Sequence, residues 1–201
     1  MKRTSILITF LFIIISSLFA FDSGQELVKL LQNKFDTISD LSANFRQISN
    51  SKVTITGKFF YGKVNKMRLE LKNLTIVSDG KTNWSYNKKE KKVIISNYNP
   101  GDPSIISLKN IINDYPSHCT LTTEKEDGTN ILNLFPIKSN LSFKNAKIYI
   151  NSDNLIQKIN LTDQNNYQVQ IEFSNYQLNK DLSTSTFTFS PPKGSKIIDL
   201  R

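Results

Sequence analysis

Apolar positions in this chain repeat first every three to four residues and then every two. Leu27, Leu30, Leu31, Phe35 and Ile38 fall at helical steps, while Glu26, Lys29, Gln32 and Lys34 lie largely elsewhere. Asp22 or Ser23 can cap this predicted helix. From Leu41 the period becomes two. Phe45 and Gln47 sit on a first strand, and Val53 and Ile55 begin a second that continues into Phe59-Phe60-Tyr61. Met67, Leu69 and Leu71 alternate with Arg68, Glu70 and Lys72, the mark of one apolar and one wet face. Thr75 to Ser78 leads to the turn Asp79-Gly80, then Trp84 and Tyr86 alternate, and Val93 and Ile95 follow a lysine-rich turn.

Pro100-Gly101-Asp102-Pro103-Ser104 interrupts this meander. Ser104 can cap a short helix that stops near Tyr115-Pro116 and carries Ile105, Ile106, Leu108, Ile111 and Ile112. A helix so apolar and so short needs a hydrophobic surface to lie on. Strands resume at Cys119–Thr123, Ile131–Phe135, Ala146–Ile150, Leu155–Thr162 and Tyr167–Tyr176, and a last one is expected at Phe187-Thr188-Phe189. Before all of this, Met1-Lys2-Arg3, the apolar run Ile6–Ile15 and Ser16-Ser17-Leu18-Phe19-Ala20 form the three parts of a secretory signal, too short to span a bilayer stably. Cleavage is expected after Ala20, leaving residues 21–201 as a single exported domain.

Composition narrows the function. The full chain has a formal charge of +9, and removal of the leader takes away Lys2 and Arg3. The remaining lysines are spread along strands and turns, so nucleic acid is not an expected partner. The densest run, Lys88-Lys89-Glu90-Lys91-Lys92, falls at a hairpin turn. The single cysteine, Cys119, cannot form an internal disulfide. No acylated anchor is expected either, because Phe21 rather than Cys follows the cut. Catalysis needs a constellation, and none assembles: the only histidine, His118, has no metal-ligand spacing around it, no GxSxG elbow occurs, and the seven glycines form no phosphate-cradling loop. No catalytic residue, metal or cofactor is therefore expected. What remains is a large apolar inventory on alternating positions. One such sheet face can be covered to give an ordinary core, or curved and loosely covered to give a lipid pocket. Composition alone favours the ordinary core.

Four segments resemble one family. Leu41-Ser42-Ala43-Asn44-Phe45-Arg46-Gln47 is similar to the L-x-A-x-F-x-Q opening of the LolA family of periplasmic lipoprotein carriers. Gly57–Tyr61 with Asn65–Leu69, the block Ile76–Asn87, and Phe187–Gly194 resemble further motifs of that family in the same order. The resemblance implies a mainly β fold, an incomplete, unclosed antiparallel barrel whose hydrophobic cavity is covered by short helices. It also implies a periplasmic carrier that works as a monomer. The implied partners are acylated lipoproteins, an inner-membrane ABC transporter complex that releases them and, where one exists, an outer-membrane acceptor. Candidate cavity residues are Phe45, Phe60, Met67, Leu69, Trp84 and Tyr86, with Ile105, Ile106, Leu108, Ile111 and Ile112 on the lid. The family often has an Arg-Pro pair whose Arg bonds to the lid; Lys63 and Val64 stand there, which makes Lys63 the latch candidate without the bidentate fork of Arg. An envelope sensor module or glycolipid binder of the same architecture is the alternative reading.

Overall fold

The computed structural model describes residues 23–49, 52–99, 108–138 and 141–201. The leader Met1–Ala20 and the lid residues Ile105 and Ile106 lie outside them. Helix α1 (Ser23–Asp36) comes first, then β1 (Asp40–Ser49), β2 (Lys52–Gly62), β3 (Lys66–Leu71), β4 (Leu74–Asp79), β5 (Thr82–Asn87) and β6 (Lys92–Asn97). A π turn (Asn110–Asp114) runs into a 3-10 turn (Tyr115–His118). Then come β7 (Cys119–Glu126), β8 (Thr129–Pro136), β9 (Phe143–Ile150), β10 (Ile156–Asp163), β11 (Gln168–Leu178), a 3-10 turn (Thr184–Phe187) and β12 (Lys196–Asp199).

All twelve strands form one sheet in the order β12-β6-β5-β4-β3-β2-β1-β11-β10-β9-β8-β7. Neighbours pair antiparallel except β12, which lies parallel to β6. The end strands β12 and β7 do not pair with each other, so the sheet is open. Short turns dictate the meander. Asp79 shows how: its Oδ1 accepts from the backbone N–H groups of Lys81 and Thr82, both at 2.8 Å, while Gly80 supplies φ +93°. A Cβ at Gly80 would stand 2.2 Å from the carbonyl oxygen of Val64, so two hairpin tips meet there.

Residues paired across neighbouring strands share a face. One such row is Ala43–Phe59–Leu69–Ile76, and another begins Leu41–Tyr61–Met67. These rows make the inner face, which forms one core cluster with α1. On α1 the buried side chains are Leu27, Val28, Leu31 and Phe35; Leu30 is 40% exposed. The expected stripe is thus shifted. At about 100° per residue it centres between Leu27 and Val28, which leaves Leu30 about 100° off axis.

The outer face differs between halves of the sheet. Over β2–β6 it carries the rows Phe60–Arg68–Val77–Trp84–Ile95 and Thr75–Tyr86–Val93. The C-terminal segment crosses this region. Phe187 is buried, and its ring lies 3.1 Å from where a Cβ on Gly62 would be. Phe189 packs on Tyr86 with ring centroids 5.6 Å apart. The expected strand at Phe187–Phe189 is instead the end of a 3-10 turn and an extended run, and the last strand is β12. Pro191 and Pro192 follow directly and cannot donate to a ladder. Over β7–β9 the outer face mixes Ile131 and Tyr149 with a polar cluster in which Asn133 donates to Glu124 and Thr122, and Lys147 pairs with Glu124.

Candidate functional site

The site is built where α1, its exit bend, the π turn and the β9–β10 turn converge. Helix α1 packs against β7, β8 and the π turn. Its Phe35 ring meets Tyr61 of β2 at 4.8 Å. Burial of each large side chain in this stripe contributes about 1.5–3 kcal/mol. Beneath it, Phe173 of β11 gathers Phe45 at 6.0 Å, Phe59 at 5.5 Å and Tyr176 at 6.3 Å. A recess of about 20 Å³ remains, lined by Leu31, Lys34, Phe35, Ile38, Leu41, Leu108, Ile112, Asn154, Leu155, Ile156 and Tyr176. That is room for about one water molecule and not for a hydrocarbon chain.

Polar groups here are few and fixed. The Tyr176 hydroxyl donates to the carbonyl of Ile156 at 2.6 Å, and burial raises its pKa well above that of a free tyrosine. Tyr61 is pushed up to about 12, first by burial and then by the nearby Asp36 and Tyr98. The bend after α1 is tied down. Asn179 accepts from the Ser39 backbone N–H at 2.8 Å and donates to the carbonyl of Thr37 at 3.2 Å. The buried Asp40 carboxylate accepts from the backbone N–H groups of Lys180 and Asp181.

Lys63 lies at this same end. Its ammonium donates to the carbonyl of Asp36, the last residue of α1, at 3.2 Å. A cation there satisfies an orphan carbonyl and complements the helix dipole. The latch candidate thus reaches the end of the first helix.

The six strand residues named as cavity candidates separate into two groups. Phe45, Met67 and Leu69 are buried in the inner core. Phe60, Trp84 and Tyr86 sit on the outer face, on the side that the C-terminal segment covers. None of the six lines the recess. On the lid segment, Leu108 and Ile112 are buried and line it, and Ile111 packs partly buried against the core. The expected helix here continues as a π turn and a 3-10 turn to His118. Leu155, Ile156 and Tyr176 were not among the sequence candidates; alternation marked their strands without saying which residues flank the mouth.

Other candidate chemistry resolves into structure. His118 Nδ1 lies 2.8 Å from the carbonyl oxygen of Asp114 and 3.0 Å from Ser117 Oγ, closing the 3-10 turn. Cys119 is buried, and burial pushes its thiol pKa up, away from the reactive thiolate. Among the described residues no group of three His, Cys, Asp or Glu side chains could hold a metal ion, and no helix is long and apolar enough to cross a membrane.

The chain is similar to known proteins in sequence and in fold. The outer-membrane lipoprotein carrier protein of Legionella pneumophila (strain Lens) is 26% identical over 202 residues, covering 94% of this chain and 98% of that protein. The outer-membrane lipoprotein carrier protein of Salmonella paratyphi A is also 26% identical, covering 94% and 95%. Among solved structures, an uncharacterized conserved protein from Thermus thermophilus superposes with a TM-score of 0.61 at 12% identity, over 88% of this chain and 99% of that one. Residues 36–190 match the family described as outer membrane lipoprotein carrier protein LolA, and the chain belongs to that family.

Proposed function

We propose that this protein shields the acyl chains of lipoproteins in the periplasm and carries them from an inner-membrane ABC release complex to the outer membrane. The observation that carries the reading is the cover of the inner face. An open sheet holds an inner face that is apolar beneath α1 and the Leu108–Ile112 segment, in a chain of a carrier family. The recess beside α1 is too small for an acyl chain, and on this reading loading moves the cover. Helix α1 is suited to that. Its exit is tied by Asn179 and Lys63, and at its start the Ser23 hydroxyl hydrogen-bonds that of Thr123 at 2.7 Å. Swinging about the tied end exposes Leu27, Val28, Leu31 and Phe35 together with the core cluster they join. Acyl chains replace the lost contacts at about 0.8 kcal/mol per buried methylene.

The test is co-expression with a lipoprotein, purification from the periplasm, and mass spectrometry of what comes with the protein. The reading predicts lipid-modified cargo held in a soluble complex. Recovery of the protein bare, where a known carrier retains cargo under the same conditions, contradicts it.

A further inference from the structure

The inner face is not apolar along its whole width. The cross-strand row that starts at Leu41, beside the recess, runs Leu41–Tyr61–Met67–Ser78–Asn83–Ser96. It begins hydrophobic under α1 and ends polar on β4–β6. Asn83 is only 5% exposed, and neither its amide oxygen nor its amide nitrogen has a hydrogen-bond partner. Among the described residues it is the one side chain with both amide atoms buried and unpartnered. Leaving such groups unpaired costs stability, and none of the described residues supplies the partner. Ser78 beside it is fully buried; its Oγ accepts from the Gly80 N–H at 3.2 Å, which leaves the hydroxyl proton available.

The geometry points to a polar subsite at Asn83, with Ser78 and Ser96, for the ester or amide linkage of an acylated ligand. Four strand spacings separate Leu41 from Asn83, roughly 19 Å at ~4.8 Å each. That is close to one acyl chain, taken as about half of a ~30 Å bilayer core. A tail laid along the row ends under α1 near the recess, and its carbonyl reaches the Asn83 amide. Asn83 donates to that carbonyl, and its own oxygen accepts from an amide N–H where the linkage has one. This subsite rests on the carrier reading, because it needs the same face to open.

The test compares two probes of equal chain length, methyl dodecanoate and tetradecane, by displacement of a fluorescent fatty-acid probe from the wild type and from Asn83→Leu. Leucine keeps the branching of the side chain and removes the unpaired amide, and a thermal melt of the variant checks that it folds. The subsite predicts that Asn83→Leu weakens methyl dodecanoate about tenfold and leaves tetradecane unchanged or tighter. Asn83→Gln, which keeps the amide, retains part of the ester binding. Equal effects of Asn83→Leu on both probes, or none on either, overturn the subsite and leave the carrier reading standing. Failure of the wild type to bind either probe overturns both.

Discussion

The two faces of the sheet are covered in different ways. On the outer face of β2–β6 the C-terminal segment is part of the sheet itself: β12 pairs in parallel with β6, and backbone bonds from Lys196 to Lys91 and from Leu200 to Ile95, each 2.8 Å, extend the ladder. Phe187 and Phe189 pin the same segment. On the inner face α1 adds no strand pairing; it is held by apolar contact and side-chain bonds such as Gln32 to the carbonyl of Ile112 at 3.3 Å. A cover laddered into the sheet comes away only with the strand order. A cover held by side chains can lift as one body and be replaced by other apolar material. On the carrier reading, this difference separates the face that is fixed architecture from the face that serves cargo.

Phe187→Ala is expected to cost about 3–5 kcal/mol of stability, read from denaturant unfolding, with acyl-ligand affinity of the folded protein unchanged. Loss of ligand binding without loss of stability would place Phe187 in the wrong face. Asp40→Ala removes the acceptor of two backbone N–H groups beside the α1 bend. It should cost about 2 kcal/mol and loosen the pivot, seen as faster amide exchange across α1. Lys63→Leu should change stability by no more than about 1 kcal/mol, since it is an exposed helix-end contact. It should nonetheless alter the rate of cargo release; identical loading and release would remove its latch role.

The smallest effect is alkaline. The Tyr61 pKa is raised in the folded state, so its neutral form is favoured there. Below the unfolded value of about 10 its contribution is fully present, and stability falls as pH rises from about 10 towards about 12. Tyr61→Phe should flatten that fall, measured as the unfolding midpoint against pH.

Period-two alternation was enough to read β1 to β11 from the sequence but not β12, and the Asp79-Gly80 and Glu126–Thr129 turns help set the meander. Parity was harder. Ile76-Val77 and Phe59-Phe60 each offer two adjacent apolar residues, and a shift of one residue exchanges the faces. Met67 and Leu69 face inward, as alternation expects, because Arg68 and Glu70 mark the wet side. Trp84 and Tyr86 had no such marker, and hydrophobicity alone does not tell a core face from a face strapped by a later segment. For the same reason Phe187 and Phe189 read as a strand. On α1, Val28 and Leu30 compete for one stripe, and only packing decides between them.

Locking α1 shut asks whether cargo enters by way of this helix. Ser23 and Thr123 place their hydroxyls 2.7 Å apart, so cysteines there are within disulfide reach. The measurement is acyl-ligand loading of Ser23→Cys/Thr123→Cys, in a Cys119→Ala background, oxidised and then reduced. Loading blocked in the oxidised protein and restored on reduction is the predicted result. Equal loading in both states would show that cargo enters without moving α1, and would contradict the account.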